Sequence, residues 1–436
     1  MKADLNREID AIWRIDGAKI IGALTRIVGD IGLAEELAHD ALVTALERWP
    51  VSGVPDNPGA WLMTAAKHRA IDHFRRASRR DRKHEELGQQ LAARSVEALD
   101  GETKMENDLG DDLLRLMFMA CHPVLSTEAR VALTLRVLGG LTTEEIARAF
   151  LSTEPTIAQR IVRAKRTLRQ AQVPFEVPRG DEIAGRLASV LEVLYLVFNE
   201  GYAATSGDVW IRPALCEEAL RLGRILAELV PLESEVHGLV ALMEIQASRL
   251  RARTGPSGEP ILLLDQDRAR WDWLLIRRGL AALERARKIG GADGPYVLQA
   301  EIAGCHARAR TAQETDWARI AALYDRLARQ VPSPVVELNR AMAVAMAFGP
   351  QEGLLLVDAL AAEPSLQAYH PLPSVRGDLL MRLGRLPEAR AECERAAALT
   401  RNRRERDLLL ARARACDGEQ GPAETTPAEP PPARLR

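Results

Sequence analysis

The chain reads as all-α. Ala, Leu, Arg and Glu, residues that favour helix, dominate nearly every segment. Runs of alternating β-branched residues, the mark of strands, are missing. Apolar residues instead recur three and four apart, as in Ile20, Ile21, Leu24, Ile27 and Val28. A length of 436 residues suggests two or three domains, and 47% hydrophobic residues can build a core in each.

Taken in order, AKIIGALTRIVGD and LAEELAHDALVTALERW are helices. PVSGVPDNPG, Pro50 to Gly59, is dense in Pro, Gly, Asn and Asp and reads as a loop. The helix after it, GAWLMTAAKHRAIDHFRRASRRDRK, carries eight Lys/Arg against two Asp. Residues 84–112 then hold nine Asp/Glu and two Lys/Arg with few large apolar side chains, so an acidic, poorly packed linker is expected. Residues 113–173 are helical and close on a second basic helix. After VPFEVPRGD a long helical region runs to about Cys416, and the tail 418–436, rich in Pro, Ala and Glu, is expected to be disordered. The expected domains are therefore 1–83, a linker over 84–112, 113–173, and 174–417, followed by that tail.

Charge does not point to a partner globally: 59 Lys/Arg face 61 Asp/Glu, so any electrostatic argument is local. Five scattered cysteines with no CxxC spacing suggest neither zinc nor a disulfide framework, and a reducing compartment. MKADLNREIDAIWR lacks the apolar core of a secretory signal, and no apolar run is long enough for a bilayer. A cytoplasmic protein with no membrane contact is expected. Neither a P-loop nor GxGxxG occurs, His39 and Asp40 are adjacent and cannot share a helix face, and Cys121-His122 lacks partners. No catalytic set, metal or cofactor is expected.

LTTEEIARAFLSTEPTIAQRIVRAKRTLR has the pattern of a helix-turn-helix. Thr142 and Glu145 form a capping box that opens a short helix with Ile146, Ala147 and Phe150 inward. LSTEP is a turn, with Pro155 in the first turn of the next helix. That helix buries Ile157, Ile161, Ala164 and Leu168. Thr156, Gln159, Arg160 and Arg163 near its start are the base-edge candidates; Lys165, Arg166 and Arg169 are the phosphate candidates. An ordinary helical hairpin with a basic solvent face has the same polarity. The earlier basic helix mixes Trp61, His68, His73 and Phe74 with its cations, a composition suited to single-stranded or melting DNA.

With both modules in one chain, the arrangement resembles the sigma-70 family, and within it the compact extracytoplasmic-function (ECF) group. LAEELAHDALVTALERW resembles region 2.2, AWLMTAAKHRAIDHFRR regions 2.3 and 2.4, and LTTEEIARAFLSTEPTIAQRIVRAKRTLR region 4.2. NEGYAA, LLLDQDRARWDWLLIRRGL, GPYVLQAEIAGCHARA, PSPVVELNRAMAVA and YHPLPSVRGDLLMRLGRLPEAR are similar to a subgroup with a C-terminal tetratricopeptide-like extension. Independently, Ile320, Leu354 and Ala389 recur near the 34-residue period of that repeat, and Gly377, Gly384, Ala389, Cys393 and Ala396 fall at its small positions.

The resemblance implies a sigma factor that binds core RNA polymerase and reads promoter DNA at −10 and −35, with polymerase supplying the chemistry. It implies docking of region 2.2 on a basic polymerase surface through Glu36, His39 and Asp40, with Leu42 as apolar contact. It places the loop that captures a flipped −10 base at Asp56 and Asn57, and the opened strand along Trp61, Lys67, Arg69, Arg75 and Arg76; Asp72 is a local partner for those arginines. The extension implies regulation in cis, and its groove a protein partner. Trp271 and Trp273 are expected as packing residues. The rival is a helix-turn-helix regulator with a tetratricopeptide-like sensor, which leaves the region 2-like helices unexplained.

Overall fold

The computed structural model describes residues 2–80, 102–180 and 182–417, so the expected disordered tail and most of the expected linker lie outside the described residues. The chain packs as two units, with the break after Val193. In the first, α1 (Lys2–Val28), α2 (Ile31–Ser52) and α3 (Pro58–Arg80) pack on one another. Ile20, Ile21 and Leu24 of α1 meet a face of α2 built from Ala34, Ala38, Ala41 and Ala45, all buried. Small side chains let these helices approach closely. Leu62, Met63, Ala66 and Ala70 of α3 complete this core.

The connection between α2 and α3 is shorter than the expected loop. Pro50 lies in the last turns of α2, and Pro58 opens α3 at a position where its missing N–H costs nothing. Gly53, at φ +81, ends α2. Only Gly53 to Asn57 is non-helical.

A second correction concerns the acidic segment. Residues 102–112 are not linker but the opening turns of α4 (Glu102–Ala120). Asp112 is fully buried, paired with Arg26 at 3.0 Å and Arg115 at 2.9 Å. Gly22 of α1 makes this possible: a Cβ there would sit 3.0 Å from the Asp112 carbonyl oxygen. Local composition suggested solvation; two arginines distant from or adjacent to the segment reverse it.

Next come α5 (Thr127–Val137), α6 (Thr143–Ala149), α7 (Glu154–Gln170) and α8 (Glu182–Tyr202). The early turns of α8 bind the helices before them, so the expected boundary at 173 does not coincide with the break in packing. Ser189 donates to the Cys121 carbonyl at 2.6 Å, Arg186 to the Phe118 carbonyl at 3.1 Å, and Arg130 pairs with Glu192 at 3.0 Å.

The second unit continues through α9 (Pro213–Leu229), α10 (Ser234–Ala247), α11 (Trp273–Lys288), α12 (Pro295–Arg308), α13 (Trp317–Gln330), α14 (Pro334–Phe348), α15 (Pro350–Leu360), α16 (Pro371–Arg382), α17 (Leu386–Leu399) and α18 (Arg403–Ala415). From α13 onward each helix packs chiefly on its sequence neighbours, as in a repeat array, while α12 packs mainly on α10. Ile320, Leu354 and Ala389 are buried in α13, α15 and α17, the second helices of successive pairs. A Cβ on Gly377 would meet the Cys393 sulfur at 3.2 Å. The tryptophan pair divides: Trp271 is buried with Arg249 and Arg268 against its ring, whereas Trp273 opens α11 half exposed.

Two-residue strands, β1 (Ser206–Gly207) and β2 (Arg401–Asn402), pair in parallel and tie the two ends of this unit together. Asn402 is the fastener. Its Nδ2 donates to the carbonyls of Ala204 at 2.9 Å and Val209 at 2.8 Å, and its Oδ1 caps α18 by accepting from Glu405 N. Asn402→Ala leaves buried acceptors and a helix end unsatisfied, so we expect a loss of about 2–4 kcal/mol. Hydrogen exchange should show it as lost protection in α18 and in residues 204–210.

Candidate nucleic-acid interface

The helix-turn-helix forms as its sequence dictates. Thr142 accepts from Glu145 N at 3.1 Å while the Glu145 carboxylate accepts from Thr142 N at 2.8 Å, the reciprocal capping box. The turn passes through Leu151 at φ +46, and Thr153 then caps α7. Ile157, Ile161, Ala164 and Leu168 are buried as one stripe. Opposite them, Thr156, Gln159, Arg163 and Arg166 are exposed along one side of α7, with Arg160 half-buried beside them. Gln159 and Arg163 lie 3.5 Å apart, one turn from each other.

Lys165 and Arg169 lie elsewhere on α7, and the structure pairs both with α2. Lys165 contacts the Glu35 carboxylate, and Arg169 donates to Asp30. Glu35 is buried and also accepts from Arg136 of α5 at 2.6 Å. Arg136 reaches His39 Nε2 at 3.0 Å, and His39 Nδ1 donates to the Glu35 carbonyl at 2.8 Å. Burial alone would raise the Glu35 pKa, but Lys165 and Arg136 together hold it below the ordinary carboxylate value. Asp30 is lowered too, first by its hydrogen bond from Arg169. Its other oxygen accepts from Leu33 N at 2.8 Å and caps α2. Glu145 divides its oxygens in the same way, between its capping box and Arg14 at 3.2 Å.

The structure sorts the other candidates. On α2, Glu36 and Asp40 are exposed beside Val43, Leu46 and Glu47. Leu42 is half-buried. His39 turns inward onto the Trp13 ring at 5.1 Å, because a helix places it about 100° from Asp40. Asp56 and Asn57 are exposed in the short α2–α3 connection, and Asn57 Oδ1 accepts from Ala60 N at 3.0 Å, a capping role. Trp61 packs edge-on against Trp49 at 5.3 Å. Arg69, Arg75 and Arg76 are exposed, Asp72 lies 4.0 Å from Arg75, and Arg69 donates to Thr44 at 3.1 Å. Lys67 is half-buried, its amine lowered by burial and then by Arg26.

Asp30, Glu35 and Arg136 were not candidates from sequence. Their partners lie more than 100 positions away, for example 101 between Glu35 and Arg136, so no local pattern could announce them. Among the described residues no His/Cys/Asp/Glu group is arranged for a metal, and no helix is long and apolar enough to cross a membrane. Cys121 is buried beside Thr134 at 3.3 Å, and burial pushes its thiol up to about 11, unsuited to nucleophilic work.

The His39 ring predicts a pH response. Burial, and then Arg136 and Lys165, hold its pKa below 6.5, so its contribution is complete above pH 6.5 and is lost as pH falls through the lowered value. Asp30 and Glu35, lowered from 3.8 and 4.5, add a second loss at more acid pH. The thermal midpoint of the 2–193 unit should therefore begin to fall just below pH 6.5, and His39→Gln should remove that first phase while leaving the second.

Comparison with known proteins agrees with this geometry. The sigma-70 region 2 model matches residues 17–80, and the sigma-70 region 4 model matches residues 115–168. A family of unknown function, DUF6596, matches residues 186–287. An uncharacterised protein of Rhizobium meliloti (strain 1021) is 43% identical over 384 residues, covering 88% of this chain and 89% of that protein. The probable ECF RNA polymerase sigma factor SigI of Mycobacterium tuberculosis is 29% identical over 170 residues, 39% of this chain and 57% of SigI. The ECF RNA polymerase sigma factor SigK of Mycobacterium ulcerans is 27% identical over 155 residues, 35% of this chain and 78% of SigK. No solved structure matches significantly. With both sigma regions present in order, and a helical region following them, the chain belongs to the extracytoplasmic-function group of the sigma-70 family and carries a C-terminal extension.

Proposed function

We propose that this protein, as an RNA polymerase sigma factor, joins core polymerase through the outer face of α2 and reads promoter DNA with α3 and α7. The observation that carries the reading is the pairing, in one chain, of a region 2 module and a helix-turn-helix whose exposed side holds Thr156, Gln159, Arg163 and Arg166. Amide, hydroxyl and guanidinium groups so placed near the start of a second helix suit major-groove base edges. Arg160 adds a further cation at that end. Lys165 is a phosphate contact once free of Glu35.

On the other module, Arg69, Arg75 and Arg76 suit the backbone of an opened strand, with Trp61 and Lys67 at the edge of that surface. Asp56 and Asn57 lie where a flipped base would be received. Glu36, Asp40 and Leu42 form the polymerase-docking face. His39 supports it from beneath through Trp13 and Arg136. The chain itself supplies no chemistry; polymerase does. Work of this kind places it in the cytoplasm, and the helical extension regulates it in cis through a protein contact. A sensor-regulator acting without polymerase would leave the region 2 module without a task.

Run-off transcription with core polymerase on the protein's own upstream region tests the reading. Specific transcripts should appear with the full chain, and a chain ending after Val193 gives the sign of the extension's effect. Absence of transcripts together with absence of core polymerase binding would overturn it. On the −35 duplex, Arg163→Ala should cost about 1–3 kcal/mol and relax one base preference, whereas Arg166→Ala should lower the salt slope by about 1 with little change in preference.

A further inference from the structure

The segment joining α10 to α11, residues 248–272, lies within the stretch that the family of unknown function matches. It holds five arginines, Arg249, Arg251, Arg253, Arg268 and Arg270, and four acids. Three of those acids already accept from nearby backbone N–H groups. Glu259 accepts from Ser257 and Asp267 from Ala269, each at 2.9 Å, and Asp272 accepts from Leu274 at 2.9 Å and Leu275 at 3.2 Å. Short 3-10 turns fold the segment, and Asp272 N donates to the Ser248 carbonyl at 2.8 Å, closing its two ends on each other. Arg251, Ala269, Arg270, Trp271 and Asp272 line a cleft of about 540 Å³, a size that suits a small molecule. Arg251 and Arg270 are exposed and form no ion pair among the described residues.

Trp271 joins this cleft to a buried cationic layer. Its ring centre lies 5.9 Å from the Arg249 guanidinium carbon and 4.6 Å from that of Arg268. Arg268 donates to the carbonyls of His306 at 2.6 Å and Ala309 at 2.7 Å, at the end of α12. Burial, and then Arg249 and Arg268, push the His306 imidazole down to about 3, so the ring is neutral and the layer keeps its positive potential. Trp271 Nε1, Arg268 Nη2 and His306 Nδ1 are buried and make no hydrogen bond to the described residues, and Trp271 and His306 are each more than nine-tenths buried. A buried polar group in that state is costly, and natural structures keep few.

We propose that the cleft is a binding site for a small organic anion, whose carboxylate or phosphate oxygens are held by Arg251 and Arg270 beside Trp271. The uncommitted groups are guanidinium forks and an indole N–H, which donate and cannot accept. A matching ligand is therefore rich in acceptors and negatively charged, and each fork takes two of its oxygens. A neutral or cationic ligand would desolvate the two guanidinium groups without compensation. A lone inorganic ion fills little of the cleft, so the charged group is carried on an organic body. None of these residues belongs to the region 2 or region 4 module, so the inference stands without the sigma reading. It gives the stretch of unknown function a chemical task, and a bound anion would brace the connection between α10 and α11.

The test uses the full chain, with phenyl phosphate, benzoate and inorganic phosphate as probes at constant ionic strength. Calorimetric titration should show saturable binding of phenyl phosphate or benzoate with a Kd of about 1 mM or tighter, and inorganic phosphate should bind about tenfold more weakly. The preferred organic probe tells a phosphate ligand from a carboxylate. With that probe bound, hydrogen exchange should slow over residues 248–272 and stay unchanged over residues 2–80. Arg251→Gln with Arg270→Gln changes exposed side chains only, so the double variant should keep its melting midpoint and lose about tenfold in affinity. No saturable binding of either organic probe up to about 10 mM would overturn the proposal. So would unchanged affinity in the folded double variant, equally tight binding of inorganic phosphate, or protection confined to residues outside 248–272. Should the double variant fail to fold, the exchange map of the natural chain still decides.

Discussion

Much of the first unit depends on one buried carboxylate. Glu35 lies inside α2, where an ionised group without partners would cost several kcal/mol. Arg136 comes from α5 to one carboxylate oxygen and Lys165 from α7 to the other. Removing either cation leaves a buried charge short of compensation, a loss of about 3–5 kcal/mol in comparable settings. The relative placement of three helices thus depends on a group that apolar packing alone would exclude. His39 belongs to the same system. Its imidazole bridges the Glu35 backbone and Arg136, and burial first, then the neighbouring Arg136 and Lys165, hold its pKa below the ordinary value.

That electrostatic design separates two kinds of positive charge on α3 and α7. Arg163, Arg166, Arg69, Arg75 and Arg76 are exposed. Lys165 and Arg169 are engaged by acids of α2, and Lys67 is half-buried against α1. A near-neutral chain can carry strongly basic helices because its acids are distributed where they hold part of that charge.

The extension follows different physics. From α13 to α18 its stability comes from each helix burying small and branched side chains against the next, with Ala389, Cys393 and Ala396 admitting close approach. An open array would leave its ends frayed. Here Asn402 joins the end of the array to the loop after α8, nearly 200 positions earlier. A unit fastened in this way resists fraying repeat by repeat from its ends.

The sequence by itself determined the elements and the identity of the modules. The all-α class, the capping box at Thr142, the turn before Pro155 and the stripe Ile157, Ile161, Ala164 and Leu168 are all short-range, because caps and helical periodicity act within a few residues. The family motifs are equally local, as is the repeat spacing of Ile320, Leu354 and Ala389. What only the tertiary structure decided was the fate of charges. Residues 102–112 read as linker because they belong to a stretch, 84–112, whose nine acids and few large apolar residues suggest solvation, yet Arg26 draws Asp112 into the core. His39 read as a docking residue, yet Trp13 and Arg136 turn it inward. Lys165 read as a DNA contact, yet Glu35 holds it. A charged side chain has no fixed address in a sequence pattern. Its environment depends on which charge arrives from a segment distant in sequence, as Arg136 does at 97 positions from His39, and that is known only once the chain has packed.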